Sequence, residues 1–388
     1  MSTGKRGQST DLVEGGRRKE WRGRLVNVPV ERASTILFDS VDDLRGSAPG
    51  QGTYRYGLQG TATHWALAEA LTALEPGAAG TALYPTGLAA ITTPMLALLS
   101  PGDELLVPDS VYGPTRKFCE TILKRLHIAT RYYDPLVGAE MRDLVSEKTK
   151  VILLESPGSL TMEVQDVPGI CAIARECGII TILDNTWATP LLFPAIEAGV
   201  DVTVLAATKY VGGHADVMLG AATATERFYK RIQTVTWDIG FAVSPDDAWL
   251  GSRGLRTMAV RLKQHETSAL KIAHWLKGRP EVGLVLHPAL PDCPGHEFWK
   301  RDFKGSSGLF SFELRESDDK QRAAFVDGLE LFGIGYSWGG YESLVFPADP
   351  HRTLSKAPAE NLVRLHIGLE DPDDLIADLS AAFDQTGR

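Results

Sequence analysis

From about residue 61 the chain switches repeatedly between two hydrophobic patterns. In THWALAEALTALE, Trp65, Leu67, Ala68, Leu71 and Leu74 recur at three- and four-residue spacing, which predicts a helix with one apolar face. Short, nearly continuous apolar runs follow at 81–84, 104–107, 128–133, 151–155, 179–183, 200–206 and 218–223. They are too short for buried helices and are read as strands. Between them, 87–99, 114–126 and 167–177 carry helical spacing. Strands apolar on both faces, alternating with helices, predict a parallel sheet covered on both sides. Residues 39–60, rich in Gly, Ser, Asp and aromatics, read as loop.

Beyond Pro245 the character changes. Residues 246–277 predict one long helix or two in series; strands at 309–314 and 363–368 and helices at 320–331 and 373–383 follow. This part reads as a smaller α+β domain. At 388 residues the chain is too long for a single core. The expected division is a segment over 1–60, an α/β domain over 61–250 and a C-terminal α+β domain over 251–388.

Composition narrows the class. With 44% hydrophobic and 23% charged residues, a largely disordered chain is excluded. The net charge of -9 argues against a nucleic acid or an acidic membrane as partner. Lys5, Arg6, Arg17, Arg18, Lys19, Arg22 and Arg24 form a basic start, read as a solvated segment. No apolar stretch follows it as in a signal peptide, and no apolar run is long enough to span a bilayer. Cys119, Cys171, Cys177 and Cys293 lack C-x-x-C spacing, which fits a reducing cytoplasm and predicts no metal site.

In an open parallel sheet, ligands gather at the carboxyl ends of the strands. Three such ends carry candidate chemistry. Tyr84-Pro85-Thr86-Gly87-Leu88 is a strand-to-helix turn, in which Gly87 permits close approach and the helix start offers N–H groups to a phosphate. Alone it is equally an ordinary turn. The strand TILD ends at Asp184, which by itself fits a helix cap or a salt bridge as well as a ligand contact. The strand VTVLAA runs into Thr208-Lys209-Tyr210; such a lysine is either a surface residue or a depressed-pKa amine suited to Schiff-base chemistry. Phosphate turn, acid and amine together are the groups that pyridoxal 5'-phosphate (PLP) requires.

The stretches IILDNTWATP and AATKYVGGHAD resemble signature regions of the Cys/Met-metabolism family of fold-type I PLP enzymes. LLESPGSLTMEVQDVPGI, GSRGLRTMAVRLKQH, GHEFWKRDFKGSSGLFSFEL, YSWGGYESL and RLHIGLEDPDDLIADL resemble its carbon–sulfur β-lyase branch, and the likeness runs from about Val28 onward. The resemblance implies the fold-type I fold: a large, mostly parallel sheet domain and a smaller C-terminal α+β domain. It implies a small sulfur amino acid such as cystathionine as substrate and a homotetramer built as a dimer of dimers. It further implies that Lys209 holds the cofactor and removes the Cα proton, and that Asp184 pairs with the pyridinium nitrogen. Tyr112 would stack on the ring and assist proton transfer. Gly87, Leu88 and Thr208 would bind the phosphate, together with Tyr56 from a neighbouring subunit's 1–60 arm. Arg364 would clamp the substrate carboxylate, with Ser337 and Trp338 lining the pocket. His214 and His366 are read as structural.

Two positions depart from the family pattern. Leu58 stands where many members carry a phosphate-binding arginine, with Arg55 as a nearby substitute, and Ala206 stands where many carry serine, as the β-lyase branch does not. The sister γ-lyases and γ-synthases share Lys209, Asp184 and Arg364, so those residues do not separate the branches. A broad cysteine-S-conjugate β-lyase and a PLP-binding regulator are the remaining alternatives.

Overall fold

A computed structural model describes residues 7–385 apart from 49, 51, 316 and 355, so Lys5 and Arg6 of the basic start lie outside the described residues. Strands β1 (Gly80–Tyr84), β2 (Glu104–Pro108), β3 (Ala129–Tyr133), β4 (Thr149–Glu155), β5 (Ile180–Asp184), β6 (Val202–Leu205) and β7 (Gly220–Ala224) form one sheet. Its order is β1-β7-β6-β5-β4-β2-β3. Strands β2 to β6 are mutually parallel, while β7 runs antiparallel to both β1 and β6. The exception has a local cause. A parallel neighbour needs a crossover, usually helical, whereas the β6–β7 link is an irregular loop that carries Lys209.

Central strand β4 shows why these runs are strands. Val151 and Leu153 pack on one face with Ile91 and Met95 of the Gly87–Leu98 helix. Ile152 and Leu154 pack on the other with Ile170 and Cys171 of the Val167–Glu176 helix. All four strand side chains are fully buried. Each such burial contributes roughly 1.5–3 kcal/mol, so a two-residue period with no polar member is what a strand covered on both faces requires.

Elsewhere the structure corrects the pattern. The run at 114–126 is α-helical over Gly113–Phe118, passes through a π-helical turn over Cys119–Leu123 and returns to α-helix at 124–125. Within 39–60 there are a short helix at Val41–Gly46, capped by Ser40, and a 3-10 turn at Gly57–Gln59. The helix Glu226–Asp238 occupies a stretch unassigned from sequence, and buries Phe228, Ile232 and Thr236 at four-residue intervals. The long helical run is two helices, Pro245–Leu255 and Met258–Lys277. The first packs Gly254 so closely on the loop after Lys209 that a Cβ there would lie 2.2 Å from the Gly212 carbonyl oxygen. The second turns away to cover another sheet.

That sheet comprises β8 (Val282–Leu286), β9 (Leu309–Leu314), β10 (Gly333–Ile334), β11 (Leu344–Ala348) and β12 (Leu362–His366), in the order β10-β11-β12-β9-β8. Phe310, Phe312, Val363 and Leu365 pack with Ile272 and Leu276, and with Leu379 and Phe383 of the Pro372–Gln385 helix. Alternation turns Leu362, Arg364 and His366 to the opposite face, where Leu362 joins a core cluster of the first sheet. The strand period therefore directs Arg364 toward the carboxyl ends of β4–β6.

A buried acid ties the two sheets together. Asp109, just past β2, accepts from Arg116 Nη2 at 2.7 Å, from the N–H and hydroxyl of Thr353, and from the Leu354 N–H at 2.9 Å. Burial raises its pKa, but the donors at Leu354, Thr353 and Arg116 outweigh burial and hold the carboxyl at about 2, below its ordinary 3.8. The depressed value means that this contribution to stability is complete above pH 3.8 and is lost as pH falls through about 2. Replacing Asp109 by Asn should cost about 3 kcal/mol, because the buried Arg116 loses its close anion and keeps only the half-exposed Glu120 at 3.7 Å. Chemical denaturation at neutral pH checks the loss, and the difference from wild type should shrink in strong acid.

Candidate active site

The carboxyl ends of β4 and β5 place two acids side by side, Glu155 and Asp184, in register. Burial pushes both carboxyls up. Asp184 Oδ1 accepts from the Thr186 N–H at 3.0 Å and the Thr186 hydroxyl at 2.5 Å, and Lys209 also favours its charged form. Glu155 is pushed well above the carboxylate range, by burial first and by the charge of Asp184 second. The pair is thus held apart electrostatically, with Glu155 pushed up by its neighbour's charge and Asp184 favoured in its charged form by Thr186 and Lys209. The Thr186 hydroxyl also accepts from the Ala206 N–H at 2.9 Å, which couples the end of β5 to the turn leading into Lys209.

Lys209 follows β6. Burial first and the nearby Arg364 second lower its pKa to about 8, against the opposing pull of Asp184. Its Nζ donates to the Ser337 hydroxyl and lies 5.3 Å from the centre of the Trp338 ring. Behind it, the buried Arg261 donates to the carbonyls of Tyr210 at 2.7 Å and Gly254 at 2.8 Å, and so fixes the lysine-bearing loop. Arg364 donates to the Ser337 carbonyl at 3.1 Å and stacks 4.9 Å from the centre of Phe346. Burial depresses the Arg364 guanidinium to about 10. Among the described residues no carboxylate lies within ion-pair distance of Lys209 or Arg364. A desolvated guanidinium without an anion is suited to receiving one from a ligand.

Tyr112, at the start of the helix Gly113–Phe118, has its N–H donated to Glu155 Oε2 at 2.9 Å. Its phenol is pushed up by burial and by the charges of Asp184 and Glu155, with Arg364 acting against them, so it shares the field of the same cluster. Ser337 adopts φ 82°, a left-handed conformation that costs a serine about 1–3 kcal/mol and that its contacts with Lys209 and Arg364 maintain.

At the start of the Gly87–Leu98 helix, Thr86 caps the Ala89 N–H at 3.0 Å. The Gly87 and Leu88 N–H groups, in the first turn, have no intrahelical partner. A Cβ on Gly87 would lie 2.4 Å from Ala206 Cβ, so only glycine permits this turn to sit against the loop before Lys209. The Thr208 hydroxyl is engaged with Leu219, donating to its carbonyl at 3.0 Å and accepting from its N–H at 2.9 Å. Tyr56 lies outside the cluster: it is 52% exposed and pairs through its backbone with Thr35. Arg55 beside it is exposed. His214 bonds the Gly212 carbonyl at 2.8 Å.

Sequence reading did not single out Glu155, Thr186 or Arg261. For Glu155 the signal was present, a carboxylate at the end of a wholly apolar strand beside another such strand. For Arg261 the sequence holds only one more charge on a long helix.

An amine of lowered pKa, a buried carboxylate held by two hydrogen bonds and a strand-to-helix turn with free N–H groups together define an enzyme site for a phosphorylated carbonyl cofactor. Residues 9–384 match the family described as Cys/Met metabolism PLP-dependent enzyme, and the chain belongs to that family; its cofactor is PLP. The chain is 45% identical over 385 residues to cystathionine beta-lyase MetC of Escherichia coli (strain K12), covering 96% of this chain and 97% of the relative. It is also 38% identical over 390 residues to the L-alanine/L-glutamate racemase of Wolbachia pipientis wMel, 96% of each chain being covered. The solved structure of cystathionine gamma synthase from Xanthomonas oryzae pv. oryzae in complex with aminoacrylate and cysteine superposes with TM-score 0.90 at 32% identity, covering 99% of both chains. The residues fit the cofactor: Asp184 supplies the anion, Lys209 the amine, and the Gly87 turn an anion-binding helix start.

In the cofactor-free protein, acylation of Lys209 followed by mass spectrometry should titrate near the value of about 8 rather than the ordinary 10.5. Removing the charge with Arg364→Leu should raise that midpoint, and Asp184→Asn should lower it.

Proposed function

We propose that this chain is a PLP-dependent carbon–sulfur lyase that cleaves L-cystathionine to homocysteine, pyruvate and ammonia. The carrying observation is Lys209, an amine held near neutrality between Asp184 and the unpaired Arg364 and bonded to Ser337. The relative that shares 45% of its residues is a cystathionine beta-lyase, which favours β-cleavage over the γ-chemistry of the sister branches.

When bound, the cofactor supplies an electron sink for the pair released at the substrate Cα. Every other role falls to the protein. Asp184 would pair with the protonated ring nitrogen of the bound cofactor, and Glu155 beside it is pushed well above the carboxylate range by burial and by the charge of Asp184. The N–H groups of Gly87 and Leu88 receive the phosphate. Arg364 binds the substrate carboxylate as a two-pronged clamp. Lys209 would hold the cofactor through its Nζ, and the same amine, when free, would take the substrate Cα proton. Tyr112 would stack on the cofactor and assist proton transfer, while Ser337 and Trp338 lie against the lysine and bound the pocket. With the Cα pair in place, the Cβ–S bond breaks, the sulfur leaves as homocysteine with a proton, and water converts the three-carbon remainder to pyruvate and ammonia.

The segment up to residue 60 serves as an arm to a neighbouring copy, bringing Tyr56 to that copy's phosphate, within a homotetramer acting in a reducing cytoplasm. Exposed Leu25, Val26, Leu37 and Val41 on the arm support an intersubunit role. The division into an α/β unit over 61–250 and an α+β unit over 251–388 follows the two sheets. Thr208 reaches the phosphate only if its hydroxyl exchanges its bond with Leu219.

Incubation of the holoenzyme with L-cystathionine should release pyruvate and homocysteine, and Lys209→Ala should lower the rate by about a thousandfold or more. Release of 2-oxobutyrate and cysteine would instead assign γ-cleavage. Racemised alanine or glutamate without thiol release would assign the chemistry named for the Wolbachia relative. Because Leu58 and Ala206 leave the phosphate site without a family cation and hydroxyl, Leu58→Arg should tighten PLP binding by about tenfold, one charge-assisted hydrogen bond's worth. Titration of the cofactor-free protein measures it.

A further inference from the structure

The turn that carries Ser337 and Trp338 rests on a buried histidine that the reaction itself does not employ. Gly339 follows Trp338 at φ 88°, and a Cβ on it would lie 3.0 Å from both the Lys209 Cβ and carbonyl carbon, so this turn lies directly on the lysine's backbone. The Gly339 N–H points to His366 Nε2 at 3.1 Å, and the same nitrogen lies 3.1 Å from the Gly340 carbonyl. A backbone N–H can only donate. The Gly340 carbonyl can only accept, so a neutral ring serves one of the two at a time; we assign Nε2 as the acceptor of the Gly339 N–H, which puts the ring's proton on Nδ1, an atom with no hydrogen-bond partner among the described residues.

The ring is enclosed on every side. It is 1% exposed, it lies 5.2 Å from the ring of the fully buried His265, and it lies 6.1 Å from that of Tyr210, the residue after Lys209. His265 donates from Nδ1 to the Ile367 carbonyl at 2.8 Å, and Tyr210 accepts the Gly308 N–H at 3.0 Å. Tyr210 in turn packs 5.5 Å from Trp338. His366 sits two residues after Arg364 on the same face of β12, so one strand delivers both the free guanidinium and the support of the turn that faces it.

We propose that His366 is a positioning residue. Its unprotonated Nε2 holds the Gly339 N–H and thereby sets the Ser337 hydroxyl on Lys209 Nζ, the Ser337 carbonyl on Arg364 and the Trp338 ring beside the lysine. The inference rests on the lyase reading of this site for its activity readout. Its structural content concerns only how this chain holds its own turn.

Two variants of similar bulk separate the roles. His366→Gln keeps an acceptor near the Nε2 position, whereas His366→Leu fills the space without one. In the holoenzyme, kcat/KM with L-cystathionine should fall about tenfold or more in His366→Leu and recover most of that loss in His366→Gln. In the cofactor-free protein, hydrogen exchange at the Gly339 amide should accelerate in His366→Leu and stay near the wild-type rate in His366→Gln. Equal kcat/KM in the two variants, or unaltered exchange at Gly339 in His366→Leu, would overturn the proposal. If neither variant folds, NMR of the wild-type protein with isotope-labelled histidine decides: an unprotonated Nε2 supports the assignment and a protonated one overturns it. Exchange and NMR do not depend on which substrate is turned over, so failure of the lyase reading leaves the positioning role separately testable.

Discussion

Desolvation of charge at the carboxyl ends of three adjacent parallel strands is the constraint on which this site depends. Strands β4, β5 and β6 are buried on both faces, so whatever their ends carry is removed from bulk water. Two acids in register there oppose each other's ionisation, and the Thr186 hydrogen bonds favour the charged form of Asp184. With the charge on Asp184, Lys209 finds an environment that is apolar enough to lower its pKa yet holds one counter-charge. Parallel strand order, which brings the end of β5 between those of β4 and β6, is thus an electrostatic device as well as a packing solution.

The second sheet completes what the first cannot supply. Its strand β12 buries Val363 and Leu365 on its own helices and turns Arg364 and His366 outward to the site. The guanidinium lies close enough to depress Lys209, and among the described residues no side-chain carboxylate is within ion-pair distance of it. Such an arrangement costs stability in the empty site and is offset by the staples nearby. Asp109 and the buried Arg352–Glu163 pair tie residues 352–354 to the first sheet. Arg261 ties the Lys209 loop to the Pro245–Leu255 helix.

The anion-binding end is sparser than the rest. Within one chain it consists of a helix start, two free N–H groups and a glycine fitted against Ala206. Neither Leu58 nor Ala206 can add a hydrogen bond from its side chain, and the Thr208 hydroxyl already serves Leu219. Cofactor retention in this chain therefore leans on the helix dipole and on the covalent reach of Lys209.

The runs that became β1 to β6 were legible in the sequence because wholly apolar short runs have one economical fate, a strand covered on both faces. Gly87, Asp184 and Lys209 were legible as candidates because each follows such a run. The direction of β7 was not, since antiparallel return depends on a loop having no crossover helix rather than on any feature of the strand. Nor were the opposition between the Glu155 and Asp184 charges, the engagement of the Thr208 hydroxyl or the contact of His366 with the 337–340 turn. The sequence by itself determined the residue types and their places at strand ends. Only the tertiary structure decided which became neighbours, because pKa values and hydrogen bonds arise from contacts between distant segments, 128 residues apart for Lys209 and Ser337 and 245 for Asp109 and Leu354.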